Sequence, residues 1–205
     1  MDGVTASGLK GSWGSSAPMD ARPPPSAPSA LHVRRAEPAD AAAVAEIYNR
    51  AIQERIATFE TEERSDETMR AWIAERDDRH PVLVGEVTDA AGTPGRGHRV
   101  IAWASIASYR PRACYAGVGE FSVYVREGYR GQHVGERILL ALIEEARRLG
   151  YWKLVSRIFP QNTPSRRLVA RCGFREVGTY EKHGKLDGRW LDTVIVERLI
   201  PENLR

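Results

Sequence analysis

The feature that most constrains this chain is a strand that leads through a glycine-bearing loop straight into an amphipathic helix, at residues 123–135. Gly131 and Gly135 allow the backbone to approach a ligand closely, and N–H groups at a helix N-terminus attract phosphate. Arg130 adds a guanidinium to the same loop. The spacing is neither that of a P-loop nor that of the dinucleotide fingerprint. The loop therefore predicts a phosphate-binding site, and an ordinary strand-to-helix turn is the alternative.

Length and charge limit the class of protein. A chain of 205 residues has room for one sizeable hydrophobic core. The formal net charge of +3 does not by itself indicate nucleic-acid binding, and we interpret the arginines at 166, 167 and 171 as a solvated helix face. The sequence contains neither a bilayer-spanning apolar run nor an apolar secretory signal. We expect a cytoplasmic protein that binds neither nucleic acid nor membrane.

The two cysteines, Cys114 and Cys172, are too few for a disulfide framework and lack metal-ligand spacing. No paired His/Asp arrangement marks either thiol as a nucleophile. We interpret both as structural and predict no bound metal. His183, in a predicted turn, is a minor candidate for a substrate contact.

Composition divides the chain into two parts. Residues 1–30 are rich in Gly, Ser, Ala and Pro, and such a segment buries too little apolar surface to offset the entropy of ordering it, so we predict a disordered tail. Residues 31–205 are predicted to form one domain. Its elements are a strand, two helices, three strands, a helix, a strand, a helix and two strands. This order predicts an α/β fold with a central twisted mixed β-sheet flanked by helices.

Periodicity, glycine turns and caps set the predicted bounds. The strands are expected at residues 31–35, 81–87, 100–107, 119–125, 151–158, 174–180 and 190–199. The helices are expected to begin near Pro38, Ser65, Val134 and Asn162. A loose turn at 92–97 and a turn at 187–188 are expected to close two hairpins.

A second segment, at residues 162–174, follows the loop at a characteristic distance in the sequence. Asn162, Ser165, Leu168 and the pair Gly173-Phe174 follow the loop at a spacing that resembles the GNAT superfamily of acetyl-CoA-dependent N-acetyltransferases. The resemblance covers about residues 33–199. Within it the chain is similar to the phosphinothricin N-acetyltransferase branch, which includes enzymes for methionine sulfoximine and arsinothricin. The segments that carry this narrower resemblance are Ile47-Tyr48-Asn49, Ala57 to Glu62, Pro81 to Val84, Trp103-Ala104-Ser105, Arg110-Pro111-Arg112, Glu120 to Val125 and Gly188 to Asp192.

The resemblance implies a binding mode for acetyl-CoA. Backbone groups of the strand are expected to pair with the pantetheine arm, and the loop amides to cradle the pyrophosphate. Asn162 is expected to bond the pantetheine, with Ser165 near the cofactor. The expected strand and loop residues are Val123, Tyr124, Val125, Arg130, Gly131, Gln132, His133, Val134, Gly135 and Glu136.

Two positions depart from the family pattern. His133 occupies a position that is usually glycine, and a positive φ there would strain histidine or shift the loop. Val169 occupies a position at which relatives carry Tyr or His as a possible proton donor to the leaving thiolate. Because valine cannot donate a proton, either water or another residue protonates the thiolate, or no donor is required.

An acidic residue supplies the expected chemistry. Transfer of acetyl to an amine requires a neutral amine, so a base must remove a proton, directly or through water. The resemblance places the family's proposed catalytic glutamate at Glu120, at the start of the strand. From the residue alone, a solvated strand-end glutamate is the alternative.

Four residues are candidates for contact with the substrate. Arg110 and Arg112 precede Glu120 in a loop, and guanidinium groups pair bidentately with carboxylate or phosphinate. Tyr115 is a weaker candidate in the same loop. Phe59 either walls the amino-acid pocket or is a core or interface residue.

The sequence therefore predicts an acyltransferase that acetylates the α-amino group of a small acidic amino acid or analogue by direct attack. A role in herbicide resistance or antibiotic detoxification and a homodimer follow from the resemblance. Two alternatives stay open: a CoA-binding regulator or sensor without turnover, and an acetyltransferase of a protein amine or an aminoglycoside.

Overall fold

The computed structural model describes residues 31–88 and 98–204. The predicted tail at 1–30 and the predicted turn at 92–97 lie outside the described residues. Within them, strands and helices follow one another in the predicted order. The strands are β1 (His32–Arg35), β2 (Val82–Thr88), β3 (His98–Ser108), β4 (Val118–Val125), β5 (Lys153–Ile158), β6 (Arg175–Leu186) and β7 (Arg189–Leu199). The helices are α1 (Ala41–Glu54), α2 (Asp66–Ala74), α3 (Val134–Arg148) and α4 (Thr163–Arg171).

The strands form one mixed sheet in the order β1-β2-β3-β4-β5-β7-β6. Strands β4 and β5 pair in parallel, and the other neighbours pair antiparallel. The parallel pairing is short, with the three Cα partners Val118↔Lys153, Gly119↔Leu154 and Glu120↔Val155. Beyond Glu120 the two strands separate, and this opening positions the site described below. The predicted α/β fold with a mixed central sheet is confirmed.

Each face of the sheet carries its own hydrophobic core. On one face, α3 buries a stripe at helical spacing that includes Ile138, Leu139 and Leu142. On the other face, α1 and α2 pack against a second cluster that contains Trp103. Each fully buried aliphatic side chain stabilises the fold by about 1.5–3 kcal/mol. Both cores pack against β4, one through Phe121, Val123 and Val125 and the other through Tyr124, so β4 is held on both faces of the sheet.

Most observed bounds lie within one to three residues of the predicted ones, and two of the differences have a clear structural reason. Residues 151–152, which were expected in β5, precede the strand, and Tyr151 packs into the core with its hydroxyl donating to the Arg79 carbonyl. Strand β6 extends to Leu186 instead of ending at residue 180, because an irregularity between Tyr180 and Gly184 lets pairing with β7 resume. Such a bulge interrupts the alternation of side chains that marks a strand in sequence.

Candidate functional site

The separation of β4 from β5 exposes backbone groups of β4. The Arg126 N–H donates to the Ile101 carbonyl of β3 at 2.8 Å. Because backbone groups of successive residues point to opposite sides of an antiparallel strand, those of Val123 and Val125 point away from β3, into the opening. Two contacts agree with this direction: Ser156 Oγ donates to the Phe121 carbonyl at 2.9 Å, and Arg130 Nε donates to the Val125 carbonyl at 3.1 Å.

A cavity of about 490 Å³ follows this opening between α1, the loop after β4 and α4. A smaller chamber of about 80 Å³ adjoins it where β4 and β5 separate. Ten of the predicted cofactor residues line one or both of them, namely Val123, Tyr124, Val125, Arg130, Gly131, His133, Gly135, Glu136, Asn162 and Ser165. The side chains of Gln132 and Val134 do not: Gln132 donates to the Gly128 carbonyl at 2.7 Å, and Val134 is buried in the core.

The loop presents a row of free amides. Within the described residues, none of the backbone N–H groups from Gly131 to Glu136 donates to a protein acceptor, and the first bond of this helix is Arg137 N–H to the His133 carbonyl at 3.0 Å. Helix N-terminal amides that lack partners form an anion site. Gly131 and His133 have φ of 77° and 59°. His133 therefore has the positive φ that the departure from glycine made a concern, and this left-handed conformation costs a histidine about 1–2 kcal/mol.

Gly135 is required by close packing between α3 and α4. A Cβ at this position would lie 3.1 Å from a terminal carbon of Leu168 and 3.4 Å from Val125. A side chain here would therefore have to push aside the Leu168 side chain in the opposite wall of the cavity.

Charged side chains at the cavity mouth are already paired. Arg130 Nη1 lies 2.9 Å from both oxygens of Glu54. Glu136 Oε2 lies 3.0 Å from His133 Nδ1 and 3.1 Å from Arg171 Nε. The hydrogen bond from His133, together with Arg171, lowers the pKa of Glu136. An anionic ligand would thus compete with two carboxylates for these cations.

Asn162 has a structural function in addition to its predicted one. Its Oδ1 accepts from the Ser165 N–H at 3.2 Å and so caps α4, while its Nδ2 donates to the Ile56 carbonyl at 3.0 Å. The side chain thereby holds α4 against the end of α1. Its expected contact with pantetheine stays a prediction.

Glu120 is the last residue of β4 that pairs with β5, and its neighbour Phe121 lines the smaller chamber, although Glu120 itself lines neither cavity. Arg157 of β5 contacts it with two N–H groups, and Arg157 does line the chamber. Sequence reasoning missed Arg157. No local motif marks this residue, because its proximity to Glu120 depends on the pairing register of β4 and β5.

The predicted substrate residues lie outside both cavities. Arg110 and Arg112 are exposed in the loop that ends at the 3₁₀ helix Ala113–Tyr115. Tyr115 packs edge-on against Tyr109, with ring centroids 5.7 Å apart. Phe59 packs edge-on against Phe159 at 4.8 Å, and a Cβ on Gly184 would meet the Phe59 ring at 2.8 Å. Phe59 therefore stands behind Phe159, which itself lines the chamber.

The chamber offers no strong acid. Val169 is buried in its wall. Tyr124 is part of the lining of both cavities, but burial, with Tyr48 as its neighbour, raises the pKa of the Tyr124 phenol well above its ordinary value. A phenol with so high a pKa can donate a hydrogen bond but gives up its proton poorly.

The remaining candidates have no place in the site. Cys114 is exposed and Cys172 is buried, and burial raises the pKa of Cys172 to about 11. The His183 ring lies 5.0 Å from the Tyr180 ring and lines neither cavity. Among the described residues, no cluster of His, Cys, Asp and Glu could hold a metal ion, and no helix is long and apolar enough to span a membrane.

The arrangement fits an elongated ligand with an anionic middle and a polar arm. The loop amides lack protein partners, and four of the residues that carry them, Gly131, His133, Gly135 and Glu136, line the wide part of the cavity, where a pyrophosphate would be held. Outward-facing groups of Val123 and Val125 offer a strand-like partner to an arm that carries amides. The narrow chamber ends beside Glu120, so the reactive end of the ligand would lie there.

Comparison with known proteins agrees with this geometry. Residues 30–175 match the acetyltransferase (GNAT) domain. A putative phosphinothricin acetyltransferase of Bacillus subtilis is 33% identical over 168 residues, 82% of this chain and 98% of that protein. The L-methionine sulfoximine/L-methionine sulfone acetyltransferase of Pseudomonas aeruginosa is 34% identical over 80% of this chain and 92% of that protein.

A solved structure adds the cofactor. The structure of a putative acetyltransferase from Salmonella typhimurium with its cofactor acetyl-CoA superposes with a TM-score of 0.73 at 32% identity, covering 83% of this chain and 94% of that one. The family match and the fold similarity therefore agree. The chain belongs to the GNAT family of acetyltransferases, and acetyl-CoA is its acyl donor.

Proposed function

We propose that this acetyltransferase modifies the α-amino group of a small acidic amino acid or analogue, with Glu120 as the general base. The supporting observation is the position of Glu120. It belongs to the last β4–β5 pair, where the strands separate next to the smaller chamber. The names of the relatives support the substrate class, since they act on phosphinothricin or on methionine sulfoximine and methionine sulfone.

The chemistry follows from the groups at this end of the cavity. Acetyl-CoA supplies the acetyl group: the amine nitrogen bonds to the carbonyl carbon, the C–S bond breaks, and the thiolate takes a proton from water. Glu120 accepts the proton that the amine loses, directly or through one water molecule. Val169 has no proton to give, and a free thiol has an ordinary pKa of about 8.5, so the thiolate leaves without help from an acid at this position.

Recognition of the acidic group is assigned to Arg110 and Arg112, with Tyr115 beside them and Phe59 supporting the wall of the chamber. Both arginines are exposed, the Arg110 guanidinium lies 5.2 Å from the centre of the Tyr109 ring, and neither arginine forms an ion pair with a carboxylate within the described residues. A carboxylate or phosphinate would find both free for charge-assisted hydrogen bonds. Cationic antibiotics would be disfavoured by the same charges.

A homodimer belongs to the proposal. Large apolar side chains are exposed on the β6–β7 hairpin, among them Val177, Tyr180 and Trp190, the last with 56% of its surface accessible. Exposed apolar groups on an edge hairpin are typical of contact surfaces. Light scattering on the purified chain gives the mass, and a monomer at micromolar concentration would contradict the dimer.

A thiol-release assay with acetyl-CoA and a panel of amines tests the function. Phosphinothricin, methionine sulfoximine and methionine sulfone are expected to support turnover, whereas an aminoglycoside and a lysine peptide are expected to do so at least 100-fold less well by kcat/KM. Tight CoA binding without turnover on any amine would instead indicate a regulator or sensor.

Glu120→Gln tests the base. General-base catalysis contributes about 10²–10⁴-fold, so kcat is expected to fall by that factor while the Kd of acetyl-CoA stays unchanged. Glu75→Gln, at an exposed position at the end of α2, is the matched control. Full activity of Glu120→Gln would remove the base from the proposal.

A further inference from the structure

We propose that Arg157 is a positioning residue that orients Glu120 for proton transfer; this inference rests on the proposed function. Glu120 pairs with Val155 in the register of β4 and β5. Because side chains alternate along a strand, Arg157 lies on the same face as Val155 and therefore on the face of Glu120. Arg157 lies two residues after Val155, the partner of Glu120, and so beyond the point where the strands separate.

Arg157 contacts only one of the two carboxylate oxygens of Glu120. Nε of Arg157 donates to Oε1 of Glu120 at 3.1 Å, and one terminal N–H donates to the same oxygen. No other donor within the described residues reaches the carboxylate, so Oε2 is free of protein partners. An oxygen that already accepts two charge-assisted hydrogen bonds is the poorer proton acceptor. The pair therefore presents Oε2 as the atom that receives the amine proton.

The location of the pair gives the contact a function. Arg157 lines the narrow chamber, and its opposite residue on β7 is Ile195, which offers no competing carboxylate. Both side chains are partly accessible, at 27% for Glu120 and 45% for Arg157. An ordinary ion pair with this exposure contributes about 0–1 kcal/mol to stability. Removal of Arg157 is therefore expected to affect catalysis more than folding.

A double-mutant cycle tests the inference. Arg157→Gln is expected to lower kcat about 10- to 50-fold, with the KM of acetyl-CoA unchanged and the melting temperature within a few degrees of the wild type. In the Glu120→Gln background, the same substitution is expected to change kcat less than about threefold, because a positioning residue has no effect without the group it positions. Arg157→Lys restores the charge without the fork and is expected to recover only part of kcat.

Arg175→Gln is the matched control, since Arg175 forms an exposed ion pair with Glu197 on the same sheet face, away from both cavities. The inference is overturned if Arg157→Gln keeps kcat within twofold, or if its effect persists in full in the Glu120→Gln background. If Arg157→Gln raises only the KM of the amino acid, Arg157 binds the substrate instead, and the inference is overturned as well.

The two proposals fail in different ways. If Glu120→Gln keeps full activity, the base assignment fails, and positioning by Arg157 fails with it. If Glu120→Gln loses activity and Arg157→Gln does not, the base assignment stands and the role of Arg157 alone is refuted. Should Arg157→Gln not fold, Arg157→Lys in both backgrounds provides the same cycle.

Discussion

The cofactor cleft and the loop at residues 109–115 were expected to form one active site, but only the residues of the cleft line a cavity in the structure. The cleft gathers Val123, Val125, Gly131 and Gly135 from one continuous segment and places α4 opposite them. In the loop, by contrast, Arg110, Arg112 and Tyr115 lie outside both cavities.

The difference reflects what each region uses for recognition. The cleft presents backbone N–H and C=O groups, whose directions are set by local conformation. The loop presents long side chains, whose conformations depend on the groups that they contact. We therefore expect the backbone groups of the cleft to be in place before a ligand binds, whereas the side chains of the loop are expected to reach their binding positions only when a ligand is present. The following predictions, from the largest expected effect to the smallest, test this contrast.

The two thiols probe the two regions directly. Cys114 lies exposed in the loop, and Cys172 is buried beneath the cleft, where burial raises its pKa to about 11. Because the thiolate is the reactive form, Cys172 is expected to react with a disulfide reagent at pH 7.5 at least several hundred times more slowly than Cys114. Two equal fast phases in the native protein would contradict a packed cleft.

The same pKa has a consequence for stability. A folded-state pKa above the unfolded value favours the neutral thiol in the folded state, so the stabilising effect is complete below the ordinary pKa of about 9.0 and is lost as the pH rises toward about 11. This contribution is measured as the difference in unfolding free energy between Cys172→Ala and the wild type, determined by denaturant unfolding at pH 7 and at pH 11. A difference between the two proteins that stays constant with pH would oppose this account.

Gly135→Val tests the backbone approach in the cleft. Its side chain would meet Leu168 and enter the cavity, so the Kd of acetyl-CoA is expected to rise about 100-fold, equivalent to about 2.7 kcal/mol. Gly178→Val is the control, because a Cβ there meets nothing within 4 Å. Calorimetric titration gives the Kd of acetyl-CoA for both variants. If Gly135→Val binds acetyl-CoA within threefold of the wild type, the ligand does not approach the backbone closely at this position.

Arg110→Ala and Arg112→Ala test the loop. Each is expected to raise the KM of the amino acid about tenfold, from a charge-assisted hydrogen bond of about 1.5 kcal/mol, while the Kd of acetyl-CoA stays unchanged. Arg70→Ala, on the exposed surface of α2, is the control. If acetyl-CoA affinity falls instead, the loop belongs to the cofactor site and the contrast between the regions is lost.

His133→Gly gives the smallest effect. It removes a left-handed strain of about 1–2 kcal/mol but adds about 0.5–1 kcal/mol of backbone entropy and loses the contact with Glu136. Stability is expected to rise by no more than about 1 kcal/mol, measured by urea unfolding, with acetyl-CoA affinity unchanged. A marked loss of affinity would mean that the imidazole itself binds phosphate.

Much of the fold could be predicted from the sequence because its signals are local. The stripe on α3, the cap at Asn162 and the turn at Asp187-Gly188 each depend on residues within a few positions. The end of β6 was missed because its bulge exists only through pairing with β7. Tyr151 was assigned to a strand because its apolar ring fits one, although its packing places it before β5.

The sequence by itself determined the order of the elements and the path from β4 through a glycine-bearing loop into α3, because local backbone conformation follows from short-range sterics and hydrogen bonds. Only the tertiary structure decided that β4 and β5 part after Glu120, that Arg157 holds one oxygen of this carboxylate, and that Arg110 and Arg112 lie outside the cavities. Those features join residues 37 positions apart or depend on which surfaces face one another. Such relations are set by strand register and packing, which no short segment of the sequence contains.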